Sequence, residues 1–239
     1  MRLSANDEIT ISIIIPVFNE GEGVIKIADH LRKIQNNFSP EIIVVDGNKK
    51  GSTIQYLRDR EIIAITSEKG RARQMNSGAM IARDDILLFL HGDTLLPDHA
   101  FEKIAAVMKT GEYVGGAFDL GFDNRRWIFA LIASIASLRS RITRIPFGDQ
   151  AIFIKRNYFE KIGGFCDIPL MEDIELMKRI KKRKDNIHII TLKVATSTRK
   201  WEKEGIVYTT LKNWLLQLFY FVGVSPVKLV RYYYKQEDI

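Results

Sequence analysis

The 239-residue sequence is poor in residues that hold small secreted or metal-bound folds together. It has one cysteine, Cys166, and 6 prolines. A single thiol cannot form a disulfide within the chain, which excludes a disulfide-rich secreted domain and favours a reducing cytoplasm. The histidines show no paired metal-ligand spacing, and a structural zinc site would lack its thiolates. They are His30, His91, His99 and His188.

Long apolar runs are also missing. No stretch approaches the roughly 20 apolar residues that a membrane-crossing helix needs. The longest candidate, residues 127–138, is flanked by arginines and predicts an amphipathic helix. The opening MRLSANDEIT contains two acidic residues and no apolar core, so it does not resemble a secretory signal. We therefore expect a cytoplasmic protein, soluble or attached at the inner face of the membrane.

The overall composition fits one globular domain, with 46% hydrophobic and 27% charged residues. Basic residues outnumber acidic ones by 36 to 29, giving a formal net charge of +7. A basic protein favours anionic partners such as nucleotide phosphates, an acidic membrane surface or nucleic acid. Charge alone does not choose among these.

The first half of the sequence alternates two kinds of segment. Short runs rich in Ile, Val and Leu are typical of parallel strands covered on both faces. Helix-like segments separate them, so the order predicts an α/β fold with right-handed crossovers. The predicted strands span residues 10–18, 41–46, 62–67 and 85–91, and the predicted helices span 21–38, 52–59 and 71–83.

The second half is less regular and contains no repeat or low-complexity linker, which favours one continuous domain. Residues 205–234 predict two helices broken at Ser225-Pro226. The other predicted strands span 114–122, 151–155 and 187–195, and the other predicted helices span 127–140 and 172–184.

Acidic residues stand at the carboxyl ends of three of the predicted strands: Glu20, Asp46 and Asp93. Each alone is also consistent with a turn or a helix cap. Ligands of open α/β sheets bind beyond the carboxyl ends of the strands, where these side chains would meet.

Five segments, in this order, resemble the motifs of family 2 glycosyltransferases with the GT-A fold. The likeness runs from about residue 11 to 201 and implies a Rossmann-like, mainly parallel mixed sheet flanked by helices. It implies a domain over 1–204, with a nucleotide-binding half at about 9–95 and an acceptor-side half at about 96–204, and a helical extension over 205–239. The segments are SIIIPVFNE (12–20), EIIVVDG (41–47), RARQMN (71–76), LFLHGDT (88–94) and MEDIE (171–175).

The resemblance implies an inverting transfer of a sugar from a nucleoside-diphosphate donor, with UDP favoured, to an acceptor hydroxyl. Pro16, Glu20 and Asp46 would line the nucleoside pocket, where carboxylates accept hydrogen bonds from ribose hydroxyls or a base N–H. Pro16 also reads as a simple strand terminator.

In the segment His91-Gly92-Asp93 the family usually has Asp-x-Asp. The resemblance implies that Asp93 binds a Mg²⁺ or Mn²⁺ ion that bridges the donor diphosphate, with Gly92 beside it. His91 departs from the pattern, and we expect it to pack or to contact the nucleotide rather than bind the metal.

Asp173 corresponds to the family's general base, with Glu172 beside it in a different role. Both also suit the first turn of a helix, where carboxylates cap it. Asp149, in Gly-Asp-Gln, resembles an acceptor-side segment or forms a plain turn.

Basic residues supply the remaining electrostatics. Arg71 and Arg73, at a helix start, suit a diphosphate. Arg199, Lys200 and Trp201 resemble a late family element that closes on the donor or acceptor side, and a solvated surface is the other interpretation for the two cations.

The acceptor is not named by the sequence. A lipid-linked acceptor would agree with membrane docking through the basic run 178–184, Arg139, Arg141, Arg144 and the aromatic segment 214–234. Alternatives are a nucleotide-sugar-binding protein without turnover and, less favoured, a nucleic-acid-binding protein. Nucleic acid is not an expected partner because the basic residues are dispersed and no recognition motif occurs. A dinucleotide dehydrogenase is excluded, since no G-x-G-x-x-G follows the first strand.

Overall fold

The computed structural model describes residues 9–233. Their strands are β1 (Ile11–Val17), β2 (Glu41–Asp46), β3 (Ile63–Thr66), β4 (Ile86–Phe89), β5 (Thr94–Leu95), β6 (Gly115–Asp119), β7 (Ile152–Lys155), β8 (Ile187–Lys193) and β9 (Ala195–Thr196). Their helices are α1 (Gly23–Ile34), α2 (Arg71–Ile81), α3 (Ala100–Lys109), α4 (Trp127–Thr143), α5 (Arg156–Lys161), α6 (Glu172–Lys182), α7 (Arg199–Glu204), α8 (Ile206–Phe221) and α9 (Pro226–Tyr233). Short 3₁₀ turns occupy Ile54–Tyr56 and Gly148–Gln150.

Seven strands form one sheet in the order β3-β2-β1-β4-β7-β6-β8. Strands β1 to β4 are parallel, β7 runs antiparallel to both β4 and β6, and β6 pairs parallel with β8. Strands β5 and β9 form a separate antiparallel ribbon. The predicted mixed, mainly parallel sheet flanked by helices is confirmed.

Alternate residues of β1 enter two apolar cores, one on each face of the sheet. Ile13 and Ile15 join the cluster beneath α1 and α3, whereas Ile14 joins the cluster beneath α2 and α6. All three are essentially inaccessible to solvent. Burying such a side chain stabilises the fold by about 1.5–3 kcal/mol. The unbroken apolar run in β1 therefore reflects a strand covered on both sides.

One predicted helix is wrong. Residues 52–59 contain only the 3₁₀ turn Ile54–Tyr56. The buried carboxylate of Asp46 accepts hydrogen bonds from the amides of Thr53 and Ile54, which fixes this segment as a loop against β2. Helix α3 has no counterpart in the prediction, although Phe101, Ile104 and Met108 give it a regular buried face.

The other predicted elements agree with the structure apart from their ends. The break between α8 and α9 falls at Ser225-Pro226 as predicted, with Pro226 as the first residue of α9. Leu216 and Leu229 hold the two helices against Leu170. Residues 1–8 of the predicted domain and 234–239 of the predicted extension lie outside the described residues. None of the helices between residues 9 and 233 is long and apolar enough to cross a membrane.

Candidate active site

A buried glutamine joins the carboxyl ends of β1 and β2. The side-chain Nε2 of Gln74, in α2, donates hydrogen bonds to the carbonyl oxygens of Val17 (2.7 Å) and Val45 (2.8 Å). Two residues later, Asn76 exchanges hydrogen bonds with the backbone of Phe165. The polar residues of RARQMN therefore anchor the strand ends and a distant loop, a role that the sequence reasoning did not identify.

Asp46 shapes the loop that follows β2. It is fully buried, and its carboxylate accepts hydrogen bonds from the amides of Asn48 (2.9 Å), Thr53 (2.7 Å) and Ile54 (3.3 Å). The Thr53 hydroxyl in turn accepts a hydrogen bond from the Glu20 amide at 3.1 Å. Asp46 thus connects the loops after β1 and β2, and its contact with a nucleoside stays a prediction.

The segment after β1 meets two distant parts of the chain. The Glu20 carboxylate accepts a hydrogen bond from Arg199 at 3.1 Å, which raises the pKa of the Arg199 guanidinium. Pro16 is buried within β1, and a Cβ on Gly92 would lie 3.4 Å from its carbonyl oxygen and 3.1 Å from Val17. Glycine at position 92 therefore lets the loop after β4 pack closely against β1.

The β5–β9 ribbon places Asp93 beside the start of α7. The carbonyl oxygen of Asp93 accepts a hydrogen bond from the Ser197 amide at 3.0 Å, and one carboxylate oxygen accepts from the Thr94 hydroxyl at 3.3 Å. Asp93 is close enough to Arg199 to contribute to its raised pKa. The side chains of Glu20, Asp93 and Arg199 therefore share one edge of the sheet.

His91 is held neutral. Burial, and then the positive charge of Arg71, lower the pKa of its imidazole to about 3. A Cβ on Gly148 would lie only 2.6 Å from His91 Nε2, so only glycine allows this approach. His91 packs against the 148–150 turn and brings no negative charge to the site. Its predicted contact with the nucleotide stays untested.

Carboxylates from three separate segments interact here. Asp173, at the start of α6, accepts a hydrogen bond from the Gly148 amide at 2.6 Å. Burial, and then the negative charges of Asp173 and Asp93, raise the pKa of Asp149 to about 6 against the opposing charges of Arg139 and Arg71. Burial, and then the charge of Asp173, raise the pKa of Glu172 to about 7. Because acidic groups at such close quarters disfavour full ionisation, Asp149 and Glu172 can hold or release protons near neutral pH.

Arg71 and Arg73 have different surroundings. Arg71, the first residue of α2, opposes the raised pKa of Asp149 and of Glu172, so its charge reaches the cluster. Arg73 instead pairs with Asp167 (2.9 Å) and Glu68 (2.6 Å) at the surface. The structure does not bring Arg73 together with the carboxylates, and its predicted donor contact stays untested.

The last described helix also reaches this region. Burial alone would raise the pKa of the Tyr233 phenol, but hydrogen bonds with Arg71 and Lys200 and their positive charges outweigh it and lower that pKa. Lys200 Nζ lies 3.7 Å from the centre of the Tyr233 ring. The neighbouring Trp201 packs edge-on against Phe122 with ring centres 5.1 Å apart. Tyr233 gave no signal in the sequence because its place depends on how α9 folds back.

The model of the family described as glycosyl transferase family 2 matches residues 12–166, well over half of the chain. The chain belongs to this family. The chain is 25% identical over 142 residues to a dolichol-phosphate mannosyltransferase from Pyrococcus furiosus. That match covers 55% of this chain and 40% of the curated relative, so the chain spans less than half of the relative's length.

Two solved structures share its fold. The mannosyltransferase PcManGT from Pyrobaculum calidifontis, in complex with GDP-Man and Mn²⁺, has a TM-score of 0.62 and 19% identity, covering 92% of this chain and 67% of the other. S. aureus TarS 1-349, in complex with UDP-GlcNAc, has a TM-score of 0.58 and 15% identity, covering 80% and 59%. At these identities the likeness shows the fold alone.

Arg139 is a further residue of the candidate site that the sequence did not single out as such. Its guanidinium carbon lies 3.3 Å from the centre of the Phe147 ring. Burial lowers the pKa of this guanidinium to about 10, and Asp149 and Asp173 act in the opposite direction. The sequence grouped Arg139 with membrane-facing cations, but it is directed inward and supplies positive charge to the carboxylate cluster.

The carboxylates fit only a weakly held cation. Within residues 9–233, no group of three or more His, Cys, Asp or Glu side chains could together hold a metal ion. Asp93, with its hard oxygen atoms, suits Mg²⁺ or Mn²⁺, which are commonly held by one or two carboxylates, phosphates and water. The donor set therefore fits a metal ion that is held mainly by a bound diphosphate.

Proposed function

We propose that this glycosyltransferase transfers a sugar from a nucleoside-diphosphate donor to an acceptor hydroxyl with inversion and with the help of a divalent cation. The observation that carries the proposal is the meeting of Asp93, Asp149 and Asp173, which come from three distant segments. Arg71 and Arg199 lie beside them and supply positive charge. A structural role alone does not require like charges to gather in this way.

The donor side is formed by Asp93, Arg71 and Arg199. Asp93 would hold the Mg²⁺ or Mn²⁺ ion, which stabilises negative charge on the departing diphosphate. The two arginines would bind the phosphate oxygens. The sequence favours UDP, while GDP-Man and UDP-GlcNAc are bound by the two structural neighbours. Both nucleotides are therefore candidates for the donor.

On the acceptor side, we assign the general base to Asp173. One of its oxygens accepts a hydrogen bond from the Gly148 amide, and the other accepts one from the Ile174 amide at 2.7 Å. These two bonds fix the orientation of the carboxylate. Each oxygen has a second lone pair that can accept the proton of an acceptor hydroxyl. Attack by that hydroxyl opposite the leaving diphosphate inverts the anomeric carbon, and no enzyme nucleophile is needed.

A lipid-linked acceptor is the class that we favour. The curated relative is a dolichol-phosphate mannosyltransferase. Large apolar side chains are also exposed on α4 and α8 of this chain, and a basic surface on α6 includes Lys178 and Lys182. Such a combination suits contact with an anionic membrane surface. The exposed apolar residues include Trp127, Leu131 and Leu138 of α4 and Leu211, Leu215 and Leu218 of α8.

A thermal-shift screen with UDP-, GDP-, dTDP- and CDP-sugars, each with and without Mn²⁺, tests the donor part of the proposal. A specific donor at a hundredfold excess over its Kd stabilises the protein by about 2.7 kcal/mol. We expect one nucleotide class to do so only with Mn²⁺, and Asp93→Ala to abolish the Mn²⁺ effect.

Release of free nucleotide from the same donor, with and without a panel of acceptor alcohols, tests turnover. We expect acceptor-dependent release with an inverted anomeric product. Donor binding without release from any acceptor would identify a nucleotide-sugar-binding protein instead, and absence of all nucleotide binding would contradict the proposal.

A further inference from the structure

A cleft of about 310 Å³ lies between α4 and α8. One wall is apolar and formed by Ile132, Ile135 and Ala136, which share a face of α4. The opposite wall is the α8 face that carries Thr210, Asn213, Trp214 and Gln217. A ligand that fits both walls has an apolar side and a polar side.

The inner end of this cleft is the catalytic region. Asp149 lines the cleft, together with Arg139 and Phe147. Asp149 also interacts electrostatically with Asp173 and Asp93. A molecule in the cleft can therefore present one end to the carboxylate cluster while its body lies between the helices.

Three polar atoms at the cleft are buried without a partner. They are Trp201 Nε1, Thr210 Oγ1 and Asn213 Oδ1, and each of these residues lines the cleft. A buried polar group left without a hydrogen bond costs about 1–3 kcal/mol. The set contains an N–H donor, a hydroxyl and a carbonyl acceptor, which lie just beneath the cleft wall and would bond the hydroxyl or ether groups of a ligand once the lining side chains turn toward it.

We propose that this cleft binds the acceptor, and that the acceptor is an amphipathic alcohol with a hydrocarbon chain. Its reactive hydroxyl would lie at Asp149 and Asp173, and its polar portion would bond Thr210 and Asn213. Its chain would lie along the apolar wall of α4. The inference rests on the proposed transfer reaction and names the substrate class for it.

The outer end of the cleft favours a chain over a compact sugar. Ile135 and Trp214 line the cleft and are 42% and 45% exposed. Leu218, one helical turn after Trp214 on α8, is 56% exposed. A chain longer than the cleft continues onto apolar surface, whereas a soluble sugar would leave that surface facing water.

Tryptophan fluorescence during titration with n-alkyl β-glucosides of increasing chain length, kept below micelle formation, tests the cleft directly. Trp201 and Trp214 line it and report occupancy. Each buried methylene contributes about 0.8 kcal/mol, so affinity should rise about fourfold per methylene until the chain leaves the cleft. An affinity independent of chain length, or highest for glucose itself, would overturn the proposal.

Two substitutions on α4 form a matched pair. Ile135→Ser removes a cleft-lining side chain, whereas Leu138→Ser removes a more exposed side chain that does not line the cleft. We expect Ile135→Ser to weaken octyl glucoside binding about tenfold and Leu138→Ser to leave it unchanged. Equal effects of the two substitutions would place the binding elsewhere.

A polar substitution completes the test. Asn213→Leu should reduce the difference in affinity between octyl glucoside and octane-1-sulfonate, because the amide that recognises the hydroxyl groups is gone. No change in that difference would contradict the polar part of the proposal. These titrations need no donor, so chain-dependent binding without sugar transfer would reject the transfer reaction alone. Transfer without any preference for a chain would reject the cleft alone.

Discussion

Glu172 and Asp173 are neighbours in the sequence, yet they meet different surroundings. Glu172 is only 4% exposed, and burial raises its pKa to about 7. Asp173 is half-buried and bonded to the Gly148 amide. Because adjacent helical residues point in different directions, the two carboxyl groups serve different purposes. Burial favours the protonated form of Glu172, whereas Asp173 accepts a hydrogen bond from the 148–150 turn.

Substitution of single carboxylates tests the assignment of the base. We expect Asp173→Asn to lower the rate of transfer about 10²–10⁴-fold while donor affinity is retained, since base catalysis contributes that much. Asp149→Asn should raise the acceptor KM more than it lowers kcat, because Asp149 lines the acceptor cleft. Steady-state kinetics of the two variants show which of the two carboxylates acts as the general base. A near-native rate for Asp173→Asn, with the large loss in Asp149→Asn, would move the base to Asp149.

The raised pKa of Glu172 also predicts how stability depends on pH. Between its ordinary pKa of 4.5 and the folded value of about 7, the folded protein binds more protons than the unfolded chain. The free energy of unfolding therefore falls as pH rises through this window, by on the order of 1–3 kcal/mol. Glu172→Gln should remove that part of the fall in urea denaturation measured across the window.

Glu112→Gln, at an exposed position, is the control and should leave the pH profile as in the parent protein. An unchanged profile in Glu172→Gln would show that the carboxyl group is ionised in the fold at all of these pH values.

The sequence shows which residue types could form a site, but it does not show which of them come into contact. Asp93, Asp149 and Asp173 stand in recognisable segments, and they do meet. By contrast, nothing in the local sequence shows that Arg73 pairs with Asp167, or that Arg139 turns inward onto Phe147. These pairings depend on which loops face each other after the sheet has formed, which is information that a short segment does not contain.

At the scale of elements, α2 is attached through Gln74 to the ends of the two paired strands beside the candidate site. Its side-chain amide donates hydrogen bonds to the carbonyl oxygens of Val17 and Val45 at the carboxyl ends of β1 and β2. Gln74→Leu keeps most of the volume and removes one buried hydrogen bond from each carbonyl oxygen, although Val17 O keeps the bond from the Gly47 amide. We expect a loss of about 1–3 kcal/mol in the free energy of unfolding by chemical denaturation.

Gln55→Leu is the matched control, since Gln55 is exposed and donates to a carbonyl oxygen in an exposed bond. It should change stability by less than about 0.5 kcal/mol. A comparable loss in both variants would mean that the hydrogen bonds of Gln74 stabilise the fold no more than those of an exposed glutamine.

The strands were predictable because their apolar runs are continuous, and the helices because their apolar residues recur on one face. The prediction failed where a tertiary contact overrides local propensity. Residues 52–59 have helical spacing, but Asp46 holds the amides of Thr53 and Ile54 in a loop. The direction of β7 is equally hidden, since strand orientation depends on the path of the chain between strands rather than on the residues of the strand.

At the scale of the whole molecule, basic charge and exposed apolar side chains occur together. The net charge is +7, and α8 exposes Leu211 and Leu215 at 51% and 50%. We predict binding to vesicles that contain phosphatidylglycerol, weaker at high salt and weak on neutral vesicles. Leu215→Glu should reduce cosedimentation about tenfold, which corresponds to the loss of roughly one half-buried leucine.

Met80→Glu provides the comparison, because Met80 is 82% exposed but lies on α2. It introduces the same charge at a similarly apolar position and should bind vesicles as the parent protein does. Equal losses in both variants would indicate that only net charge matters and that α8 is not the contact surface.

The phenol that joins Arg71 and Lys200 belongs to Tyr233, at the far end of α9. If phosphate oxygens take over Arg71, that phenol loses a partner, so nucleotide affinity and the docking of α9 are reciprocally coupled. Amide hydrogen exchange in 226–233 should then become faster on nucleotide binding, and Tyr233→Phe should tighten nucleotide binding. The amide exchange rate of α9 would then report whether the donor site is occupied.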